Sequence, residues 1–516
     1  MKDALKVQVH GSYKMSQIKT ITSGIVVGIL AGTAVSMFRW AIQHMMAVMK
    51  GLYTGILAHP VDALIAIVIN LAIGLFVGWL LHQQPDIKGS GIPQVEGQLL
   101  GEIDYRWWSV LWRKFIGGIL AIGSGLYLGR EGPSIQLGST LGQGVAHFTK
   151  QVGFDRQVLI SSGAAAGLSA AFNAPIASTL FGLEEIYHNF STNIWVISLT
   201  SAVTSDMVAT YVFGLKPVLY MKSNPMPLQY FYWVVILGII LGILGRFYQM
   251  VILRVSAWYQ KIGRLPWYLD GVIPLLIVIP LGMFFPRLLG GGSDIIVHLN
   301  AAGYSTIVLC GFFLIRFIFS MISYGSGLPG GIFLPILCLG GLIGAIVGSL
   351  AIAIGWVSPE YFSSFVIMGM AGYFAAISKA PFTAILLITE MVGTLTHLLG
   401  LAVVALVAYG VLDALNGKPV YYAMLQQLLQ NTKANDLGRT VQITKPVFAG
   451  SQIDGKLVRQ INWPAGSLLT KIVRNGIEIV PSGQTPLRWG DTLYINVSTK
   501  NQHRITETLT RLTSES

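Results

Sequence analysis

Gly123-Ser-Gly-Leu-Tyr-Leu-Gly-Arg-Glu-Gly-Pro133, continuing into Ser-Ile-Gln-Leu-Gly138, sets glycines, one carboxylate and a helix-starting proline into a chain that is otherwise mostly hydrocarbon. Further on, 202 positions away, Gly325-Ser-Gly-Leu-Pro-Gly-Gly-Ile-Phe-Leu-Pro335 and Ile-Leu-Cys-Leu-Gly340 repeat it, in register at the Gly-Ser-Gly-Leu, the next glycine, the proline and the Leu-Gly. A second pair matches with one inserted residue: Ala166-Gly-Leu-Ser-Ala-Ala-Phe-Asn-Ala-Pro175 against Ala371-Gly-Tyr-Phe-Ala-Ala-Ile-Ser-Lys-Ala-Pro381. The chain therefore contains itself twice, at about 105–212 and 305–410, and each copy carries a carboxylate past its proline, Glu184-Glu185 and Glu390. Repeats broken at matching positions by glycine and proline point to a transporter whose site lies at the repeat interface, built from half-helix ends. The two copies are expected to be inverted.

The rest of the composition agrees. With 516 residues, 53% hydrophobic, 11% charged and a mean hydropathy of +0.64, the chain exceeds what one soluble core holds, so it reads as a polytopic membrane protein. Ile21 to Val48, Ala63 to Leu81, Trp233 to Leu244, Val272 to Met283 and Leu399 to Leu412 read as spans or part-spans. The start carries Lys2, Lys6, Lys14 and Lys19 and lacks a secretory-signal pattern, which places it in the cytoplasm. The net charge of +12 belongs to loops and tail facing anionic headgroups; no basic, aromatic-interleaved patch suggests nucleic acid. Cys310 and Cys338 sit in apolar segments without metal or disulfide spacing and read as packing residues.

An anion crosses hydrocarbon only if its hydration is replaced, and backbone N–H groups at helix N-termini with a hydroxyl or two do this at least cost. Full positive charges would hold it too tightly to let it leave. Residues 89–93 (Gly89-Ser-Gly-Ile-Pro93), 129–133 and 331–335 suit the task, each with a proline fitted to the first turn of a following helix. The Gly-x-Gly-x-x-Gly spelling at 325–330 is not a dinucleotide site, since no βαβ unit surrounds it. Glu131, at such a helix start, can compete with the permeant anion for the same N–H groups, and protonation would release it; the other reading is a carboxylate that caps its helix or pairs with the adjacent Arg130. Glu184 and Glu185 are either proton-path acids or helix-end residues paired with a cation; neighbouring positions point about 100° apart, so one can face the interior and the other water. Arg39, Arg316 and Lys379 are expected to snorkel or pair. Ser90 offers a hydroxyl, whereas a tyrosine such as Tyr421 is ordinarily an interfacial anchor.

These residues resemble the CLC family of chloride channels and chloride/proton antiporters over about 18–430, through Gly89-Ser-Gly-Ile-Pro93, Gly129-Arg-Glu-Gly-Pro133, Gly331-Ile-Phe-Leu-Pro335 and Gly417-Lys-Pro-Val-Tyr421. The resemblance implies an all-α membrane fold of tilted, broken helices in an inverted repeat. It also implies a homodimer with one anion pathway per subunit. By match, Ser90 and Tyr421 would hold chloride with the amides of Ile332 and Phe333, Glu131 would be the external gating glutamate and Glu185 the internal proton-transfer glutamate. The internal acid favours exchange over conduction, and the retained serine and tyrosine favour chloride over fluoride.

Near residue 430 polarity rises. Alternating runs at Val441 to Thr444, Leu468 to Val473, Ile477 to Val480 and Thr492 to Val497, turns at Asn475-Gly476 and Gly490-Asp491, and a closing helix at about Asn501 to Leu512 predict a small soluble domain over 431–516, apart from the membrane domain 1–430. It resembles the C-terminal subdomain of RCK (TrkA-type) regulators over about 440–512. Members of that group often dimerise and some bind cyclic di-AMP, which makes Ile472, Arg474 and Pro481 candidate nucleotide contacts; a dimer clamp without ligand is the other reading.

The expected function is chloride/proton antiport across the plasma (inner) membrane, with both termini cytoplasmic, no catalytic residues, no metal and no cofactor. A passive channel gated by Glu131, and a ligand sensor whose tail controls the membrane part, are the alternatives.

Overall fold

The computed structural model describes residues 2–187, 192–262, 266–299, 303–433, 440–474, 477–498 and 502–514. Its first membrane helices are α1 (Lys2–Gly55), α2 (Val61–Gln83), the short α3 (Ile92–Leu99) and α4 (Trp107–Gly123). Then follow α5 (Glu131–Phe148), α6 (Gly153–Phe172), α7 (Pro175–Phe181) with a π-helical turn over Gly182–Tyr187, and α8 (Thr192–Phe213). The linking helices α9 (Phe231–Ile262), α10 (Val272–Phe284) and α11 (Ser293–His298) lead to α12 (Thr306–Gly325), α13 (Phe333–Ala353), α14 (Phe362–Ser378), α15 (Pro381–Val392), α16 (Leu398–Ala414) and α17 (Val420–Lys433).

Eight helical stretches among the described residues are long and apolar enough to cross a bilayer. The spans expected from the sequence all fall on helices, but Trp233 to Leu244 extends to Ile262, because Arg246, Gln249 and Arg254 sit within a helix whose other faces remain apolar. Helices α1, α2 and α9 expose Leu30, Trp40, Leu64, Trp79 and Ile243, the side chains a lipid-facing surface requires. The α5–α6 and α13–α14 pairs are interior instead. Their contact is a stripe of glycines: a Cβ on Gly138 would lie 2.9 Å from the Gly167 nitrogen, and one on Gly344 would lie 2.8 Å from the Phe365 carbonyl carbon. Small residues let backbones approach where lipid gives helices no hydrophobic reason to associate.

The inversion follows from two carboxylates at equivalent positions. Glu390, at the end of α15, accepts hydrogen bonds from Ile176 N–H (3.2 Å) and Ala177 N–H (2.8 Å) at the start of α7. Glu184, just past α7, accepts from Thr383 N–H (2.9 Å) and Thr383 Oγ1 (2.7 Å) at the start of α15. Each helix ends where its counterpart begins, so the matching helices run antiparallel. Each acid also satisfies N–H groups that have no partner within their own helix.

Residues outside the repeats are anchored by cations. Arg316 is fully buried and donates to the carbonyls of Leu288 (2.7 Å), Gly290 (2.7 Å) and Gly291 (2.5 Å), stacking over Tyr127 at 4.2 Å. It fixes the glycine run between the repeats. Lys379 pairs with Asp413, and Arg39 donates to Asn173 Oδ1 at 2.7 Å, so of the three cations Lys379 forms an ion pair while Arg316 and Arg39 are held by neutral oxygens.

The C-terminal sheet has β1 (Thr440–Pro446), β2 (Ser467–Arg474), β3 (Ile477–Ile479) and β4 (Thr492–Ser498) in antiparallel order β1-β4-β2-β3, with α18 (Gln502–Thr513) against it. Every expected strand is present, and Gly490 takes the positive φ (85°) of its expected turn. The Asn475-Gly476 turn lies outside the described residues. Ile443, Ile472, Leu493, Ile495 and Leu509 form a core separate from that of the membrane helices.

Candidate functional site

Three backbone breaks meet at the centre of the membrane part. Gly89 N–H donates to Gly327 O (3.1 Å) and Gly330 N–H to Gly89 O (3.0 Å), joining the segment before α3 to the second repeat. Gly129 and Gly331 exchange both bonds, at 2.7 and 2.6 Å, in an antiparallel bridge between the stretches that open α5 and α13. Gly91 at φ 93° turns the chain into α3. At Gly132 a Cβ would fall 2.7 Å from Ser90 O, so only glycine permits this approach. The starts of α3, α5 and α13 are thereby held together, and the N–H groups of a helix's first turn have no partner inside the helix. Together they form a region of positive potential without a full charge.

Ser90 (2% exposed) and Tyr421 (fully buried) bring hydroxyls whose oxygens have no hydrogen-bond partner among the described residues. Ile332 caps α13 and Phe333 begins it, both buried. The Phe333 ring packs on Phe172 (5.2 Å), Phe374 (4.4 Å) and Phe181 (5.7 Å), and Phe181 in turn meets Tyr421 edge-on at 6.3 Å. This aromatic wall ties α17 to the break before α13. Glu131 is fully buried at the head of α5; the amides of Glu131 itself and Leu334 lie nearest its carboxylate without completing hydrogen bonds, and Arg130 Nε stands 4.0 Å away. On the Arg130 side a cavity of about 660 Å³ is lined by Arg39, Arg130 and Lys216 and by Lys50 paired with Asp294 at 3.2 Å, a lining in which cations outnumber acids.

Glu185 is buried (4% exposed) in the π-helical turn, while its neighbour Glu184 is used as a cap. The π-turn, which aims adjacent side chains differently from an α-helix, resolves the pair into one structural and one interior acid. Glu185 and Glu131, together with Tyr248 and Tyr324, are the ionisable groups whose charge reaches the Tyr421 phenol.

Two residues at the site were not singled out from sequence. Lys114, fully buried in α4, donates to Ile87 O (2.9 Å) and Gly89 O (2.7 Å) and holds the first break from behind. A lone lysine in an apolar run was the available signal. Glu96 of α3, 1% exposed, is the strongest charged neighbour of Glu185, ahead of Glu184.

The three tail candidates are not brought into one pocket. Ile472 lies in the sheet core. Arg474 is committed to buried Asp491 through two 2.7 Å bonds, and that carboxylate holds its guanidinium above its usual value. Pro481 stands in the loop after β3.

The Voltage gated chloride channel family matches residues 73–413, and the TrkA-C domain matches 446–510. The H(+)/Cl(-) exchange transporter ClcA of Citrobacter koseri is 33% identical over 441 residues, 82% of this chain and 92% of that protein. The Vibrio vulnificus protein of the same name is 34% identical over 435 residues, with the same coverages. Among solved structures, a slow cyanobacterial Cl-/H+ antiporter superimposes with a TM-score of 0.75 at 31% identity over 80% of this chain and 98% of that one. A eukaryotic CLC transporter shares the fold, with a TM-score of 0.67 at 22% identity over 80% of this chain and 75% of that one. With its paired breaks, its inverted repeats and these relatives, the chain belongs to the voltage gated chloride channel (CLC) family and carries a TrkA-C domain at its C-terminal end.

Proposed function

We propose that this protein exchanges chloride for protons across the plasma (inner) membrane, with both termini in the cytoplasm. The observation that carries this reading is the meeting of Glu131, the Ser90 and Tyr421 hydroxyls and the amides at Ile332 and Phe333 around one set of helix starts. Chloride would sit between the hydroxyls and those amides. Glu131 as a carboxylate competes for the same potential; once protonated it no longer does, and the anion moves past. The proton then passes by way of Glu185 to the cytoplasm. No covalent bond of a substrate changes, and the relatives are transporters rather than enzymes.

The buried interior acid favours exchange over the passive channel, because a conducting pore has no use for a buried carboxyl such as Glu185. The test uses proteoliposomes and a pH electrode. A chloride gradient is expected to drive protons uphill; anion flux without proton movement would establish the channel.

We divide the chain into a membrane domain, 1–430, and a regulatory domain, 431–516, and take the working unit to be a homodimer, which cross-linking in membranes tests. Cyclic di-AMP as a regulator rests on the TrkA-C match alone. Calorimetry on the full chain checks it, and the absence of binding heat would remove it.

A further inference from the structure

The C-terminal domain is docked on the membrane helices. Lys445 of β1, 5% exposed, donates to Leu100 O just past α3 (3.1 Å) and to Thr510 Oγ1 of α18 (2.9 Å). Phe154 of α6 meets Phe448 edge-on at 5.9 Å. Gly153, at φ 60°, lies against Thr492, where a Cβ would stand 2.7 Å from the hydroxyl. The domain thus rests on the residue that follows α3 and on the start of α6, at the ends of α3 and α5 opposite the Ser90 and Glu131 breaks.

Between the domain and the helices lies a cavity of about 390 Å³. Glu96, Gln157 and Tyr422 line it from the membrane part; Lys445, Thr506 and Glu507 line it from the C-terminal domain. It has room for on the order of ten water molecules, and its polar groups supply partners for them. Glu96 lines this cavity, with its carboxylate oxygens covered, and is the strongest charged neighbour of Glu185, with α3 packed against the turn that bears Glu185. Glu185 is itself buried, and its neighbour Glu184 is engaged with Thr383. A separate cavity of about 140 Å³, lined by Lys88, Ser90, Tyr324 and Gln427, lies beside the Ser90 break. Both cavities include residues of α17, Tyr422 and Leu425 in one and Met424 and Gln427 in the other, so this helix stands between them.

We propose that the cavity beneath the C-terminal domain is the antechamber through which protons pass between solvent and Glu185, with Glu96 as the intermediate relay and the C-terminal domain as its outer wall. The inference rests on the exchange reading above. Glu96 takes a proton from Glu185, releases it to cavity water and returns to the carboxylate; the reverse sequence serves inward flow. The C-terminal domain then acts on transport through the proton branch, since any shift of it that closes or opens this space changes access to Glu96 without touching Ser90 or Tyr421.

The test is run on the full chain in proteoliposomes, with proton and chloride fluxes recorded together. Glu96→Gln is expected to lower proton flux at least about tenfold while chloride flux stays within about threefold. In a Cys310→Ser background, Glu507→Cys modified with 2-(trimethylammonium)ethyl methanethiosulfonate places bulk and positive charge at the cavity rim, and proton flux is again expected to fall with chloride flux kept. If Glu96→Gln loses both fluxes, the adduct at position 507 decides alone. An unchanged proton-to-chloride ratio in Glu96→Gln overturns the relay, and an inert adduct overturns the role of the C-terminal domain. Failure of the unsubstituted protein to move protons would instead overturn the exchange reading itself.

Discussion

In the exchange mechanism proposed above, the Glu131 carboxylate and the permeant anion compete for the same helix-start amides, so removing the side chain should free the site for chloride while depriving the proton of its carrier. Glu131→Ala is expected to retain chloride movement and lose proton coupling by about a hundredfold or more. Parallel flux measurements check this, and coupled proton flux persisting in the variant would refute the assignment. Glu131 and Ser90 were legible because each sits inside a glycine-proline break, where the backbone itself states the chemistry. Tyr421 was not legible from physics, since a phenol near a membrane boundary is ordinarily an anchor; its buried placement against Phe181 is what the sequence could not show. Lys114 and Glu96 were missed for another reason. Their partners are carbonyls and acids distant in sequence, Gly89 for one and Glu185 for the other, and no local spacing encodes those meetings.

At the scale of helices, the glycines divide by what surrounds them rather than by their number. Gly138 has the Gly167 nitrogen where a side chain would go, whereas Gly410 of α16 has open space. Gly138→Ala should therefore force α5 and α6 apart and cost about 2 kcal/mol or more, while Gly410→Ala should be neutral or stabilise by about 0.5 kcal/mol. Thermal unfolding in detergent distinguishes the two, and equal effects would contradict the packing described. The repeat was readable because its breaks keep their register. Its inversion was readable only as an expectation, since direction across a membrane leaves no mark in either copy; the crossed caps of Glu184 and Glu390 supply the mark in three dimensions. The π-turn had no sequence signal at all, because two adjacent glutamates spell the same in an α-helix.

For the whole molecule, the question is how firmly the C-terminal domain holds its place. Burial lowers the Lys445 ammonium from 10.5 to about 8, with Glu102 opposing. Between those values the folded protein has released this proton and the unfolded chain still binds it, so stability rises with pH across that window, by at most about 3 kcal/mol. Below pH 8 both states carry the charge and the increment is absent. Lys445→Met should lack the rise, which thermal unfolding of both proteins at pH 7.5 and 10 measures; parallel curves would show that Lys445 is not the pin. The small domain's strands were readable from alternation, but its seat on α3 and α6 was not, since docking depends on surfaces whose residues are unremarkable in sequence.

The central claim is that peptide amides of broken helices form one cradle used in turn by chloride and by Glu131. Anomalous diffraction from bromide-soaked crystals of Glu131→Ala tests it most directly. The account predicts one bromide between the Ser90 and Tyr421 hydroxyls and the Ile332 and Phe333 amides, and a second where the Glu131 carboxylate stood. Bromide at neither position, with the fold intact, would contradict it.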